Sequence, residues 1–361
     1  MENPVADWTK VLEESLADDF RVELIDLPDC PIFFAVAMPN RPSAMGSTPR
    51  LPCGRGLTRP AAILSALGEA AELRASLATG EKCPRLGRER RDGLAYLTAE
   101  NLSSSSWAEV LAQRVFLDWA EAASEPLIFS ASSSGCAAWP DLDGASERGL
   151  LECIERDARA LWWHGKLRCP KRPQHCLDDI EPRLSWWLQQ RQRRFELIDI
   201  TCDTLVPAVV AASWEPDGSH IAIGTAAAPT LTDAALSATT EMLQTELAMT
   251  VGDVAGNDVL HAWNRQVNAL DLPQFAGAIP EVETPPVIAP LVAHLQSLGL
   301  DALRFDFTAP GDVLHTVRMM IPGLGGMRQY RSNRRIMDYI ERHPELTDVR
   351  TVEEIDIREP Y

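Results

Sequence analysis

Residues 134–163 read SGCAAWPDLDGASERGLLECIERDARALWW and carry the clearest pattern in the chain. Small residues and turn-formers come first, and from Gly144 the apolar spacing predicts a helix that reaches Trp163. Glu152 and Glu155 are three residues apart, so both carboxylates lie on one face of that helix. Small residues before a helix leave backbone N–H groups open to an anion, and the helix dipole favours negative charge there. These residues therefore form a candidate phosphate-binding element.

The same pattern, A-x6-E-x2-[EQ], occurs three times, each time after small residues. The three copies are Ala62, Glu69 and Glu72; Ala145, Glu152 and Glu155; and Ala234, Glu241 and Gln244. Two such helices facing each other would bring four glutamates together, and carboxylates that close repel unless a cation compensates them. Mg²⁺ prefers carboxylate oxygens with phosphate and water. Glutamate pairs at this spacing are also typical of a solvated helix face, and the spacing alone does not name a reaction.

Helical and strand-like segments alternate along the rest of the chain. Residues 1–20 have the apolar spacing of an amphipathic helix, and residues 39–56, rich in Pro and Gly, indicate a loop. A helix is expected from about Pro60, capped by Thr58. Further helices are expected at 107–123, 144–163 and 232–250, and strands at 21–27, 31–38, 126–130, 195–199, 205–213, 221–224 and 314–321. This mixture predicts an α/β (α+β) fold.

Composition and charge narrow the possible partners. The 361 residues, 45% hydrophobic and 24% charged, indicate a packed protein. Asp and Glu (52) exceed Lys and Arg (34), and the net charge of −18 argues against a general affinity for nucleic acid or an anionic membrane. The acidic N-terminus does not resemble a secretory signal, and no apolar run is long enough for a membrane span. We therefore expect a cytoplasmic protein whose eight cysteines are reduced.

Two local clusters each have a competing interpretation. His164, Cys169, His175 and Cys176 are close enough to suggest zinc, but their spacing fits no standard finger and favours structural packing. Residues 159–194 contain nine Lys and Arg against three Asp and Glu, interleaved with tryptophans. This basic stretch predicts either a peptide-docking surface or, more commonly, a solvated helix with buried Trp. Single-stranded nucleic acid is disfavoured by the net charge.

Four blocks together resemble the YcaO superfamily, ATP-dependent enzymes that modify the backbone of ribosomally made peptides. They are CGRGLTRPAAILSALGEAAELRAS at 53–76, residues 134–163, IDITCDTLVPAVVAASW with GTAAAPTLTDAALSATTEMLQTE up to 246, and VRMMIPGLGGM at 317–327. The variant blocks are most similar to divergent members of the trifolitoxin-processing type. The resemblance implies a YcaO-like fold of repeated helix–sheet units around a central nucleotide site. It divides the chain into an N-terminal helix and strands (1–44), a catalytic domain (45–335) and an acidic tail (336–361).

The resemblance also implies cofactors and site residues. ATP and Mg²⁺ would be bound, with the metal on Glu69, Glu72, Glu152 and Glu155. Nucleotide contacts would come from Arg55, Thr58, Glu72, Arg156 and Gln244. Arg55 stands where the family has a lysine, and a guanidinium offers phosphate a fork of donors. Beyond the family blocks, Arg328, Arg331, Arg334 and Arg335 are hypothesised to approach the phosphates, with a solvated basic segment as the alternative. No Walker or GxGxxG motif is present, so phosphate binding would use neither.

Three positions depart from the family pattern. Leu73 follows Glu72 where the family has arginine, and Arg74 comes one place later. Gly144 stands where a carboxylate is expected, so either Asp141 or Asp143 substitutes for it or the site is altered. The chain given ends REPY, with Pro360 alone, rather than in the proline-rich tail of many azoline-forming members.

The implied function is ATP- and Mg²⁺-dependent activation of backbone amides in a ribosomal precursor peptide. A Cys, Ser or Thr side chain adds to the preceding carbonyl, the resulting oxygen is phosphorylated, and phosphate leaves to give a thiazoline or oxazoline. Bacteriocin-type antibiotic biosynthesis is the expected setting. The expected partners are the precursor, a separate leader-binding protein and, where the rings are oxidised, a flavin-dependent dehydrogenase. The alternatives are ATP-dependent peptide cleavage, thioamidation, or a catalytically weakened scaffold that binds precursor or partner.

Overall fold

A computed structural model gives the structure of residues 4–25, 27, 29–41, 44, 51–79, 82–86, 89–172, 174–255, 267–273, 288–325 and 334–351. The chain divides into two units, each made of two segments. The first unit contains Met1–Cys153 and Val287–Pro322, and the second contains Ile154–Pro286 and Gly323–Tyr361. Helices and strands are mixed in both units, which confirms the predicted fold class.

The helices and strands are named in chain order. The helices are α1 (Pro4–Leu16), α2 (Arg59–Ser76), α3 (Lys82–Leu86), α4 (Ala112–Val115), α5 (Trp119–Ala122), α6 (Leu142–His164), α7 (Pro182–Gln190), α8 (Leu231–Ala255), α9 (Ile288–Ser297) and α10 (Arg334–Arg342). The strands are β1 (Phe20–Ile25), β2 (Phe33–Pro39), β3 (Cys53–Gly56), β4 (Glu89–Arg91), β5 (Leu94–Asn101), β6 (Ser106–Leu111), β7 (Cys136–Trp139), β8 (Lys171–Arg172), β9 (Arg194–Asp199), β10 (Ala208–Trp214), β11 (Ala222–Ala227), β12 (Leu303–Asp306) and β13 (His315–Met320).

The strands form three antiparallel sheets, two in the first unit and one in the second. Their orders are β1-β2-β3; β4-β5-β12-β13-β7, with β6 on β5; and β11-β10-β9-β8. Each sheet has an edge strand that leads directly into a long helix: β3 into α2, β7 into α6, and β11 into α8. These three helices carry the three copies of A-x6-E-x2-[EQ]. The sequence repeat is therefore a repeat of one strand–helix element.

The repeated alanine fixes how each helix lies on its unit. Ala62, Ala145 and Ala234 are all fully buried. Strand glycines allow a similarly close approach: a Cβ on Gly54 of β3 would lie 2.2 Å from the Ala62 carbonyl oxygen, and one on Gly224 of β11 would lie 2.2 Å from that of Ala238. The small residues before the helices therefore serve backbone packing, a role that the sequence analysis did not consider.

Each unit has its own apolar core. In the first unit, α1 and α2 pack on the β1–β3 sheet, and a second cluster with Phe116 and Trp119 packs on β5. In the second unit, Trp162 and Trp163 of α6 are fully buried beside β10. Ile336, Tyr339 and Ile340 of α10 belong to this second core, although the sequence assigns residues from 336 onward to an acidic tail.

Most predicted elements are confirmed, with shifted ends, but two are wrong. Residues 107–123, predicted as a helix, form β6, which pairs with β5 from Tyr96↔Leu111 to Asn101↔Ser106, followed by the short α4 and α5. Residues 126–130, predicted as a strand, pair with no other strand. The Gln113 side chain satisfies their backbone instead: its Oε1 accepts from the Ile128 and Phe129 N–H groups, and its Nε2 donates to the Pro126 carbonyl. The predicted loop at 39–56 also ends in a strand, β3.

In the part of the chain that the structure describes, no helix has the length and apolar character to cross a membrane.

Candidate functional site

The first copy of the repeat begins at a capped helix end. The Thr58 hydroxyl accepts a hydrogen bond from the Ala61 N–H at 3.3 Å, and Pro60 occupies the first turn of α2, as the sequence predicts. Arg55 lies in β3 opposite Phe34 and is half-buried. The structure thus gives Thr58 a capping role, and its predicted contact with nucleotide stays a prediction.

Glu72 of α2 and Glu152 of α6 are both held by the segment that contains β7. An oxygen of Glu72 accepts from the Ala138 N–H at 2.9 Å, and one of Glu152 accepts from the Gly135 N–H at 3.0 Å. Two helices from two copies of the repeat therefore bring one carboxylate each to the short segment formed by Gly135 and β7 in the first unit. This is the meeting of glutamates that the repeat predicts for α2 and α6.

The electrostatics around Glu72 are unfavourable to a carboxylate. Burial raises the pKa of Glu72 well above its ordinary value, and the negative charges of Glu69 and Glu152 raise it further. The Ala138 hydrogen bond and the positive charge of Arg148 act in the opposite direction. Burial also raises the pKa of Cys136 in β7 to about 12, so this thiol is an inert packing group rather than a nucleophile.

This crowding fits a divalent cation, because a bound cation offsets like charges that otherwise repel. Among the residues that the structure describes, no three His, Cys, Asp or Glu side chains are arranged as a ready metal site. Mg²⁺ does not need such a site, since it is usually held by one or two carboxylates together with phosphate and water. Glu69, Glu72 and Glu152 therefore suit Mg²⁺ that arrives with a nucleotide better than a permanent structural metal.

Gly144 is explained by a tryptophan. A Cβ on Gly144 would lie 2.0 Å from Cδ1 of Trp139, so the indole fills the space that any larger residue at 144 would need. The Arg148 guanidinium lies over the same ring, 3.5 Å from its centroid. Asp141 caps the turn, its carboxylate accepting from the Gly144 N–H at 2.8 Å. The carboxylate expected at 144 is thus replaced by a stacked Trp139–Arg148 pair.

The second unit contains the last turns of α6, beginning with Glu155 and Arg156. Glu155 is buried and accepts a hydrogen bond from the Thr225 hydroxyl of β11 at 2.6 Å, and Arg156 lies 3.3 Å from the same carboxylate. Arg156 thus forms an ion pair with the neighbouring glutamate, and its predicted contact with nucleotide stays a prediction. In the third copy, Glu241 and Gln244 lie on α8 and are both half-buried.

The sequence motifs do not mark Asp157 as a site residue, but the structure gives it several contacts in the second unit. It is fully buried, accepts from the Gly325 N–H at 2.5 Å, and forms a salt bridge with Arg335 at 3.0 Å. Arg335 also pairs with Asp203. Burial acts to lower the pKa of Arg335, but the two aspartates raise it above its ordinary value. These contacts make Asp157 and Arg335 a structural pair inside the second unit.

For Arg334 and Arg335, the structure does not support the hypothesis that this arginine segment binds phosphate. Arg335 is committed to Asp157 and Asp203, and Arg334 is exposed beside Asp338. Arg328 and Arg331 lie outside the described residues.

The described residues of the two clusters with competing interpretations can be placed in the second unit. His164 and Cys169 are buried in the second unit, and no metal-holding group occurs among the described residues; the His175 side chain is not among them. In the basic stretch, several cations pair with carboxylates of the same unit: Lys171 with Glu196, Arg172 with Asp199, and Arg191 and Arg193 with Glu246. Of the tryptophans in the basic stretch, Trp162 and Trp163 are buried but Trp186 is 63% exposed, so the prediction of buried Trp holds for part of the stretch only.

Comparison with curated proteins finds a relative that matches about half of the chain. Over 210 residues the chain is 28% identical to an uncharacterized protein of Methanothermobacter thermautotrophicus, a match that covers 52% of this chain and 53% of the relative. The chain therefore spans about half the length of that curated relative.

Three solved structures share the fold. A heterocyclase in complex with substrate and cofactor is 20% identical, with a TM-score of 0.78 over 98% of this chain and 57% of the other. YcaO from Methanopyrus kandleri, bound with AMPPCP and Mg²⁺, is 19% identical, with a TM-score of 0.70 over 89% and 91%. The E. coli microcin synthetase McbBCD complex with pro-MccB17 bound is 14% identical, with a TM-score of 0.64 over 94% and 96%. These similarities confirm the predicted YcaO-like fold.

A family model described as YcaO cyclodehydratase, ATP- and Mg²⁺-binding, matches residues 97–325. The match includes Glu152, Glu155, Arg156 and Gln244, whereas the first copy of the repeat lies before it. Because the matched residues make up more than half of the chain, the chain belongs to the YcaO family of ATP- and Mg²⁺-binding cyclodehydratases.

Proposed function

We propose that this chain uses ATP and Mg²⁺ to activate backbone amides of a ribosomally made precursor peptide, and that it converts Cys, Ser or Thr to thiazolines or oxazolines. The biosynthesis of a bacteriocin-type peptide antibiotic is the proposed setting. The observation that carries the proposal is the convergence of Glu72 and Glu152 on the β7 segment, in a chain of the YcaO family. That convergence places two half-buried carboxylates, with the exposed Glu69 near them, where a bound metal ion would offset their repulsion.

In this proposal Glu69, Glu72, Glu152 and Glu155 hold Mg²⁺. Bound Mg²⁺ would supply positive charge that screens the nucleotide phosphates. The hydrogen bonds from Ala138, Gly135 and Thr225 fix the orientations of Glu72, Glu152 and Glu155, so that little reorganisation accompanies binding.

The nucleotide contacts are assigned to Arg55, Thr58, Glu72, Arg156 and Gln244. Arg55 and Arg156 would donate to phosphate oxygens, because a guanidinium presents paired donors. Gln244 and the Thr58 hydroxyl would add neutral hydrogen bonds. The chemical demand on these residues is positioning: an amide oxygen is a poor leaving group until it is phosphorylated, so the substrate oxygen and the transferred phosphoryl group must be held in line.

The proposed partners are a precursor peptide, a separate leader-binding protein and, for oxidised rings, a flavin-dependent dehydrogenase. Their support is that one fold relative was solved with substrate and another as the McbBCD complex with pro-MccB17.

A second candidate function is a scaffold that binds precursor or partner with weakened turnover. The specific observation in its favour is Gly144, where the Trp139 indole excludes the side chain of a carboxylate. Peptide cleavage and thioamidation are the other reactions that the family membership leaves open.

Product mass after incubation with Mg-ATP, the leader-binding partner and the precursor distinguishes these functions. Cyclodehydration removes one water per ring, thioamidation exchanges oxygen for sulfur, and cleavage gives two fragments. Glu152→Gln should abolish the water loss, and Glu109→Gln, at an exposed pair with Arg91, should leave it unchanged. An unchanged precursor mass in an assembled complex would contradict the proposed activity and favour the scaffold.

A further inference from the structure

A cavity of about 450 Å³ lies in the first unit, away from the glutamates of α2. Its walls include Ala71, Arg74 and Ala75 of α2, Lys82 of α3, and residues of the segment 305–316. An α-helix turns about 100° per residue, which places Ala71 and Arg74 on the far side of α2 from Glu69, and neither Glu69 nor Glu72 lines the cavity. The cavity volume is within the range of ordinary small-ligand sites, about 300–1,000 Å³. The cavity is therefore separate from the proposed metal ligands.

One wall of the cavity is aromatic. Phe116, Phe305 and Phe307 contact one another edge to face, with ring centroids 5.6 Å (Phe116–Phe305), 5.0 Å (Phe116–Phe307) and 5.3 Å (Phe305–Phe307) apart. Phe116 is buried, while Phe305 and Phe307 are half-buried. A three-ring wall of this kind favours another aromatic ring, because edge-to-face contacts add to the gain from burying apolar area.

Two cations, Arg74 and Lys82, also line the cavity, and the Lys82 ammonium lies 5.9 Å from the centroid of the Phe116 ring. Arg74 donates one hydrogen bond, to the Ser15 carbonyl at 2.8 Å, and its nearest carboxylate, on Asp312, is 3.9 Å away, beyond hydrogen-bonding distance. Within the described chain, most of the five guanidinium donors of Arg74 therefore have no acceptor. An arginine fork of this kind matches a carboxylate with two parallel hydrogen bonds.

Lys82 adds a second positive charge beside Arg74. Its ammonium group donates to the carbonyls of Arg74, Ala75 and Leu77 at 2.9, 2.9 and 3.0 Å, at the end of α2. No carboxylate of the described residues lies within 4.0 Å of it, and burial with the nearby Arg74 charge lowers its pKa to about 8.

The two aspartates at the cavity accept hydrogen bonds from the backbone of the loop that lines it. Asp306 accepts from the Thr308 N–H at 2.8 Å, and Asp312 accepts from the Ala309 N–H at 2.8 Å, so both carboxylates stabilise the turn between β12 and β13. Neither forms a close ion pair with Arg74 or Lys82. Asp312 acts on both cations through its charge, but at 3.9 Å it does not hydrogen-bond to Arg74, so an external carboxylate can still accept from that guanidinium.

We propose that this cavity binds an aromatic carboxylate, with the ring against Phe116, Phe305 and Phe307 and the carboxylate on Arg74, supported by the charge of Lys82. The ligand is either a free aromatic acid or the C-terminal residue of a peptide, since both present the same two groups. The site is independent of the proposed nucleotide chemistry, and its test therefore needs no turnover.

Calorimetric titration of the full chain with 3-phenylpropionate tests the proposal, with 3-phenylpropionamide as the uncharged comparison. The acid should bind at one saturable site, about ten- to a hundredfold more tightly than the amide, the effect expected of a charged hydrogen bond. Arg74→Gln should reduce binding of the acid to the level of the amide. Arg91→Gln, an exposed arginine paired with Glu109 outside the cavity, should bind as the parent does.

Three further arms complete the test. Phe307→Leu should weaken acid and amide alike, because it removes a ring and leaves the cation. N-acetyl-Gly-Phe with a free carboxylate, compared with its C-terminal amide, distinguishes a peptide end from a free acid: tighter binding than phenylpropionate indicates a peptide. Thermal denaturation verifies the folding of each variant. Equal affinity for acid and amide in the parent, or no saturable binding of either, would overturn the proposal even if Arg74→Gln failed to fold.

Discussion

Glu72 and Glu152 lie on different helices, yet both carboxylates accept hydrogen bonds from one short segment, at Ala138 (2.9 Å) and Gly135 (3.0 Å). A backbone segment with two N–H groups thus collects one carboxylate from each of two repeats. The arrangement concentrates negative charge where it is costly without a cation. The stability of the metal-free chain reports that cost.

Glu72→Gln should stabilise the metal-free chain. Burial and the charges of Glu69 and Glu152 disfavour the Glu72 carboxylate, whereas the amide oxygen of glutamine can still accept from Ala138. We expect a gain at pH 8 that is larger than the change caused by Glu109→Gln, an exposed substitution of the same kind. Chemical denaturation in EDTA measures it.

The pH dependence of that gain has a defined sign. A carboxyl whose folded pKa is raised binds more protons in the folded state, so its cost grows as pH rises above the unfolded value. The gain from Glu72→Gln should therefore be smaller at pH 5 than at pH 8. A gain that is larger at pH 5, or equal to that of Glu109→Gln at pH 8, would contradict the crowding.

Gly144→Ala should destabilise the chain by about 1 kcal/mol, the low end of the usual cost of added atoms, because the obstructing Trp139 is 38% exposed and can shift toward solvent. The cause is the Trp139 ring, which lies 2.0 Å from the position of the new Cβ. In a Trp139→Gly background the same change should cost much less. Urea denaturation of the four proteins in this cycle gives the coupling, and an additive result would show that the indole is not the obstacle.

Asp157→Asn should cost about 1–3 kcal/mol of folding free energy, because it removes one of the two aspartate partners of the buried Arg335, which keeps Asp203. Replacing both residues, Asp157→Asn with Arg335→Met, should cost less than the two single changes added together. Guanidinium denaturation provides the measurement. A loss below about 1 kcal/mol for Asp157→Asn would argue that this pair is not a structural contact of the second unit.

Stability should rise with pH between about 8 and 10.5 on account of Lys82. Its folded pKa is about 8 against an ordinary 10.5, so in this window the unfolded chain binds more protons and deprotonation favours the folded chain. Cys83, Asp312 and Arg74 contribute their own charges nearby. The difference in unfolding free energy between the parent and Lys82→Met isolates the lysine: it should increase with pH, and a flat or falling difference would exclude the lowered pKa.

Local sequence signals predicted the three repeat helices well. Thr58 and Pro60 mark the start of α2, and the recurring buried alanine marks the packed face of each helix. The helix predicted at 107–123 failed because its apolar spacing also suits β6, whose pairing with β5 depends on a distant segment. The strand predicted at 126–130 failed because one side chain, Gln113, satisfies that backbone.

The site was predicted in part. The repeat predicted that glutamates of α2 and α6 would meet, and the structure holds Glu72 and Glu152 on the segment formed by Gly135 and β7, while their binding of metal stays a prediction. The partners of these carboxylates, the indole against Gly144 and the Asp157–Arg335 pair depend on contacts between segments far apart in sequence, which spacing does not encode. The cavity beside Arg74 could not be predicted from spacing either, because its walls come from three separate segments, α2, α3 and residues 305–316.

Binding of Mg²⁺ with the ATP analogue AMPPCP, measured by isothermal titration calorimetry, tests most directly whether the carboxylates of the repeat form a metal–nucleotide site. The full chain should bind the analogue at one saturable site that requires Mg²⁺. Glu152→Gln should weaken binding at least tenfold, about 1.4 kcal/mol, and Glu109→Gln should leave it unchanged. Equal affinity of Glu152→Gln and Glu109→Gln, or binding that ignores Mg²⁺, would contradict this account.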